Sequence, residues 1–141
     1  PFKETIEKQY KQREKIFRNS EILVDFDLQV LKSVQSMKGN HVEFNTWTNA
    51  LNSMKDEIDK YDFDIAIIGA GAYGLPLGAY IKSIGKQAIH MGGATQLLFG
   101  IKGTRWDKHE FISKLYNESW ARPSNDEIYK GAEKVEGGCY W

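Results

Sequence analysis

The sequence predicts an α/β protein, a Rossmann-like three-layer αβα arrangement around a short parallel sheet, and three observations predict it. The run Phe63-Asp64-Ile65-Ala66-Ile67-Ile68 is short, apolar and rich in β-branched residues, the signature of a strand buried on both faces. It enters Gly69-Ala70-Gly71-Ala72-Tyr73-Gly74, after which Leu77, Tyr80, Ile81 and Ile84 recur at helical spacing. A second short run, Gln87 to Met91, then ends at Gly92-Gly93. Strand, helix and strand without a hairpin signal imply parallel pairing through right-handed crossovers.

The remaining elements are placed around that centre. Phe2, Ile6, Tyr10, Arg13 and Phe17 recur three to four residues apart, predicting an amphipathic helix over 2–17 on the outside of the sheet. From Asp27 to Gln35, Leu28, Val30 and Val34 share one parity and predict a first strand, so that a βαβαβ layer spans residues 25–95. Trp47, Ala50, Leu51, Met54 and Ile58 mark a helix behind an Asn45 or Thr46 cap. In the helix after the glycine turn, Pro76 falls in the tolerant first turn and Gly85 supplies the stop. Ala94 to Phe99 reads as a short helix stopped by Gly100, and Asp107 to Tyr116 as another, capped by Asp107 with Glu110 three residues on.

The expected organisation is a single domain over 1–141, with the segment 123–141 packed on it as a tail that ends in Gly-Gly-Cys-Tyr-Trp. The chain opens at Pro1, without an initiator methionine, directly in a charged helical pattern, so it is expected to be the C-terminal part of a longer protein. Lys plus Arg total 19 and Asp plus Glu total 19, so no net field steers the molecule to nucleic acid. A single cysteine, Cys139, excludes an intramolecular disulfide framework and fits a reducing cytoplasm, the expected location. No stretch approaches the roughly twenty apolar residues of a membrane helix, so no membrane insertion is expected. A small phosphorylated ligand is the expected partner, with a homo-oligomer or an upstream domain open.

Gly69, Gly71 and Gly74 satisfy G-x-G-x-x-G between a strand and a helix. Glycine permits the tight turn and the approach of a ligand, while the N–H groups and dipole of the following helix favour an anion. A phosphate, diphosphate or carboxylate is the natural guest; the alternative is that the glycines only let helix and strand pack closely. Tyr73, inside the turn, could meet the ligand with its hydroxyl or cover the sheet edge. A dinucleotide site needs an acid about twenty residues on to bind the ribose, and Ile89, His90 and Met91 stand there, which disfavours NAD and NADP.

Ligands of open parallel sheets gather outside the carboxyl ends of the strands, so His90, Gly92, Gly93, Thr95 and Gln96 belong to the same rim. His90 is the candidate catalytic residue, as a phosphate donor or a proton carrier near neutral pH, or else a satisfied strand-end histidine. Gly92 and Gly93 offer a second flexible backbone segment, and Thr95 and Gln96 neutral polar contacts. In Lys102-Gly103-Thr104-Arg105-Trp106, two cations and an indole could clamp a phosphate beside a ring, with Arg105 as the candidate. Trp120-Ala121-Arg122 repeats the pairing, Arg122 reading more readily as a solvated cation, and Asn117 and Glu118 are candidates by neighbourhood. Asp25 and Asp27 form a D-x-D able to hold a divalent metal, but they precede a strand, and no metal ligand is assigned. There is no G-x-S-x-G elbow, no Walker loop and no H-E-x-x-H.

From Trp47 through Asp62-Phe63-Asp64-Ile65-Ala66-Ile67-Ile68-Gly69 to His90-Met91-Gly92-Gly93, the chain resembles the C-terminal half of GT-D type glycosyltransferases. There too a tryptophan-bearing helix precedes an aspartate-led strand, a glycine-containing turn, a helix and a strand ending near glycine and histidine. The stretch with the IKGTRW and EGGCYW strings is similar to uncharacterised bacterial proteins that share this module and often sit among surface-polysaccharide enzymes. The resemblance implies a glycosyltransferase-related domain with a nucleotide-sugar ligand. The family's acidic metal motif lies in its other half, so no metal residue carries over. Two alternatives stand beside it: a noncatalytic nucleotide- or metabolite-binding module, and a NAD(P)-binding oxidoreductase kept only for G-x-G-x-x-G. An assembly domain, with helix Phe2 to Phe17 covering a partner, is a further class.

Overall fold

Asp64 and Met91 mark the limits of a two-stranded parallel ladder. In the computed structural model, which describes residues 2–35, 43–129, 131–134 and 136–141, strand β1 (Ile65–Ile68) pairs with β2 (Gln87–His90). Ile65 stands opposite Gln87 and Ile68 opposite His90, with flanking bonds from Gln87 N to Asp64 O and from Met91 N to Ile68 O. By its contacts the chain divides into two compact units, Ser33–Thr95 and the combination of Pro1–Lys32 with Gln96–Trp141.

The unit Ser33–Thr95 contains both strands and two helices, α2 (Trp47–Ile58) and α3 (Gly74–Ser83). Helix α2 starts where it does because Thr46 is extended and its Oγ1 accepts from Asn49 N at 3.1 Å. Helix α3 connects the strands in a βαβ unit and gives way at Gly85, the left-handed stop read from the sequence. Ala50, Leu51, Met54, Leu77 and Ile81 form the core, with Ile68, Ala66 and Ala88 facing it from the sheet.

Among the described residues, that face of the sheet is the one that is covered. Ile65, Ile67 and Ile89, on the opposite parity, are 50%, 37% and 51% exposed, which corrects the expectation of a strand buried on both sides. A continuous apolar run does not encode whether a second layer exists, because alternation is absent either way. The expected strand Asp27 to Gln35 is also corrected: its backbone has no ladder partner among the described residues. Its apolar parity serves two cores instead, since Leu28 packs in one unit and Val34 in the other. The described residues therefore form a mixed α/β structure with a two-stranded parallel sheet, βαβ in place of βαβαβ.

The other unit begins with α1 (Lys3–Tyr10), shorter than the helix expected over 2–17; a 3-10 turn at Arg13–Lys15 follows it. Ile16, Leu23, Phe99, Ile101 and Trp120 form this unit's core, and Phe2, Ile6 and Tyr10 pack against it. Helix α4 (Thr95–Leu98) lies where a short helix was read before Gly100. Beyond it, α5 (Thr104–Asp107) is one turn long, and the helix expected over Asp107–Tyr116 is replaced by a 3-10 turn at Ile112–Leu115. The expected cap is engaged elsewhere: Asp107 Oδ2 accepts from Arg122 Nη2 at 2.6 Å, while His109 Nδ1 accepts from Phe111 N and Ile112 N. The C-terminal segment is docked on the same unit: Thr104 N donates to Trp141 O, Arg105 N donates to Cys139 O, and the Trp141 ring meets Phe2 and Tyr129. Among the described residues, no helix is long and apolar enough to cross a membrane.

Candidate functional site

The two strand ends of the βαβ unit are built alike. After β1, the chain passes through Gly71, at φ +51°, into a 3-10 turn over Gly71–Tyr73 that flows into α3. After β2, it passes through Gly92, at φ +56°, into a 3-10 turn over Gly92–Ala94 that flows into α4. Both glycines occupy the left-handed region that side chains with a Cβ adopt at a cost. A Cβ at either would meet no heavy atom within 4 Å. These backbone segments are open, and no side chain caps the turn before α3.

Gly69 and Gly74 do a different job. A Cβ on Gly69 would lie 2.7 Å from Thr95 Oγ1 and 2.9 Å from Gly92 O, so this glycine lets the two turns touch. A Cβ on Gly74 would lie 2.1 Å from His90 Nε2. Gly74 has ordinary helical angles, φ −60° and ψ −50°, so its lack of a side chain serves only the imidazole pressed against it. Of the three motif glycines, two are therefore packing positions and one, Gly71, is exposed with open space at its Cβ position.

His90 consequently stands at the first residue of α3, exposed, with its ring edge beside the turn. It also lines an open groove of about 610 Å³ along α3 and β2, bordered by Gly74, Gly78, Ala79, Lys82 and Lys86. Thr95 turns its hydroxyl oxygen inward at Gly69, buried and without a hydrogen-bond partner among the described residues. Gly93 lies in the second turn, half-buried. Tyr73 is buried, and its ring stacks parallel to that of Trp47, with centroids 5.1 Å apart and planes 6° apart. Trp47, read in the sequence as one of the core positions of its helix, is 44% exposed at the first residue of α2. The signal for it was its place at the helix start, directly behind the Thr46 cap, where the core-facing stripe has barely begun.

The structure gathers Gly69, Gly71, Tyr73, Gly74, His90, Gly92, Gly93 and Thr95 on the strand-end rim of one unit. Gln96 and Arg105 belong to the other unit. Gln96 is buried, and its Nε2 donates to Ile101 O and Tyr140 O. Arg105 Nη2 pairs with Glu136 at 2.7 Å, its guanidinium lying over the Tyr140 and Trp106 rings. Lys102 lies over the Tyr116 ring, and Asn117 Nδ2 donates to Lys15 O and Ile16 O. Of the D-x-D pair, Asp25 is ion-paired with Arg13 at 2.8 Å, and no group of three His, Cys, Asp or Glu among the described residues is placed to hold a metal. Comparison with family models, with curated proteins and with solved structures finds no match for this chain.

Proposed function

We propose that the unit Ser33–Thr95 binds a phosphorylated small molecule, foremost a nucleotide sugar, on its glycine turn, as the ligand-binding part of a glycosyltransferase-related protein. The observation that carries the proposal is the division of labour among the glycines. Gly71 is left-handed, exposed and free of neighbours, and it stands one 3-10 turn ahead of a ten-residue helix whose N–H groups and dipole favour an anion. Gly92 shares its left-handed backbone and its open space for a Cβ, though it is half-buried and leads into a helix of only four residues. His90, whose ring lies against Gly74 at the edge of the turn, would donate to a phosphate oxygen or carry a proton.

The test is saturation-transfer NMR on the chain with a panel of nucleotide sugars and nicotinamide dinucleotides, repeated on Gly71→Asp and Gly71→Asn. Both substitutes tolerate the left-handed region, and only aspartate adds a negative charge. Transfer to a nucleotide sugar that survives in the asparagine variant and vanishes in the aspartate variant is the expected result. Silence from every ligand, with the circular dichroism spectrum of a folded chain, would sink the proposal.

A further inference from the structure

We infer that Trp47 is the stacking platform for the base of that ligand, so that the site takes a nucleotide in preference to a bare phosphate or a sugar phosphate. The inference rests on the glycine-turn proposal above and adds to it the part of the ligand that the turn does not touch.

Helix α2 presents Ala50, Leu51 and Met54 to the core, all buried, yet leaves the largest apolar side chain of its sequence nearly half uncovered at its first residue. That indole is held in place. One of its faces is parallel to the ring of Tyr73, and Tyr73 is itself buried, so the indole is backed by a buried ring while the residue stays 44% exposed. Isolated aromatic pairs adopt edge-to-face as readily as offset parallel geometry. A parallel pair leaves a π-face that a third flat ring can continue.

The position of the pair gives that surface its meaning. Tyr73 is the last residue of the 3-10 turn that begins at Gly71, so at a rise of about 2 Å per residue it is about 4 Å along the turn from the open glycine. The indole is stacked on the ring of that same Tyr73, with centroids 5.1 Å apart. The turn and the indole are thus linked through one residue, Tyr73, which lies in the turn by its backbone and against the indole by its ring, so a ligand with an anion at one end and a flat ring at the other is the one that would use both. Every base offers a π-face, and stacking on an aromatic side chain contributes about 5- to 150-fold in affinity with little preference among bases.

The experiment is isothermal titration of the whole chain with inorganic pyrophosphate, uridine diphosphate and adenosine diphosphate, on the wild type and on Trp47→Leu, Trp47→Phe and Gly71→Asp. Both nucleotides should bind at least about fivefold more tightly than pyrophosphate. Trp47→Leu should remove that advantage without changing pyrophosphate binding, Trp47→Phe should keep most of it, and Gly71→Asp should weaken all three. Should Trp47→Leu fail to fold, indole fluorescence decides: nucleotide should quench the wild type and not Trp47→Phe, at concentrations where both are saturated. Equal affinity for pyrophosphate and nucleotides, or equal weakening of both by Trp47→Leu, overturns the stacking role and leaves the glycine turn standing. No binding of any of the three overturns both.

Discussion

Gly74→Ala should reveal whether the third motif glycine exists for the His90 imidazole. Alanine at this position has no backbone objection, because φ −60° and ψ −50° are ordinary helical angles, and the exchange should favour the helix by about 1 kcal/mol. Against that, the new Cβ would stand 2.1 Å from Nε2, 2.5 Å from Cδ2 and 3.0 Å from Cε1 of His90. The obstacle is the far end of an exposed side chain, so the ring yields before the backbone does, at a cost of about 0.5–1.5 kcal/mol for an off-rotamer χ and up to about 3 kcal/mol if it stays trapped. The wild-type background should therefore show a change between near zero and about 2 kcal/mol of destabilisation. With His90→Ala already present, Gly74→Ala should stabilise by about 1 kcal/mol. Equilibrium urea unfolding of the four proteins gives the coupling, expected at about 1–3 kcal/mol. The His90 Hε1 resonance should also shift in Gly74→Ala. If the substitution has the same sign and size in both backgrounds, the ring contact is not why glycine stands there.

The other two motif glycines should separate by mechanism. Gly69→Ala meets Gly92 O, a backbone atom that cannot swing away, and should cost about 1–3 kcal/mol, whereas Gly71→Ala meets nothing and should cost only the left-handed strain of about 1–2 kcal/mol. Urea midpoints showing Gly71→Ala as clearly the more damaging would reverse the assignment. In the other unit, burial pushes the Glu127 carboxyl up, but hydrogen bonds from the Thr5 hydroxyl and N–H and from Ser124 N outweigh it and hold the group below its ordinary value. A carboxylate lowered by folding contributes stability that is complete above its unfolded value, about pH 4.3, and is lost as the pH falls through the folded value. Acid unfolding below about pH 4.3 should be steeper for the wild type than for Glu127→Gln; parallel curves would show that Glu127 does not carry this dependence.

Much of the central unit is legible in the sequence because local chemistry decides it. Thr46 caps α2, Pro76 sits in the first turn of α3, Gly85 ends that helix, and two short apolar runs pair in parallel around it. What escapes the sequence is decided at a distance. Leu28 and Val34 alternate like one strand face but pack into different units, and Asp107 abandons a cap for Arg122. The site divides in the same way. G-x-G-x-x-G locates the turn, yet its spacing cannot show that Gly69 and Gly74 are occupied by neighbours and Gly71 is not. Trp47 fits the helical stripe of α2, and apart from its place at the helix start the sequence does not mark its indole as the one left outside.

The interleaving of the two units sets an order of events at the ribosome. The stretch Ser33–Thr95 is continuous, so every residue of that unit has been made once Thr95 emerges. Helix α1 is made earlier but cannot settle: the oxygens that Gln9 needs belong to Gly100 and Ser119, and the carboxylate that Thr5 needs belongs to Glu127. Chains grow at about 5–20 residues per second, so the first segment waits several seconds for the last. The two segments of that unit therefore meet only after the whole of Ser33–Thr95 has been made, and the entropy lost on bringing them together rises only slowly with the length of chain between them.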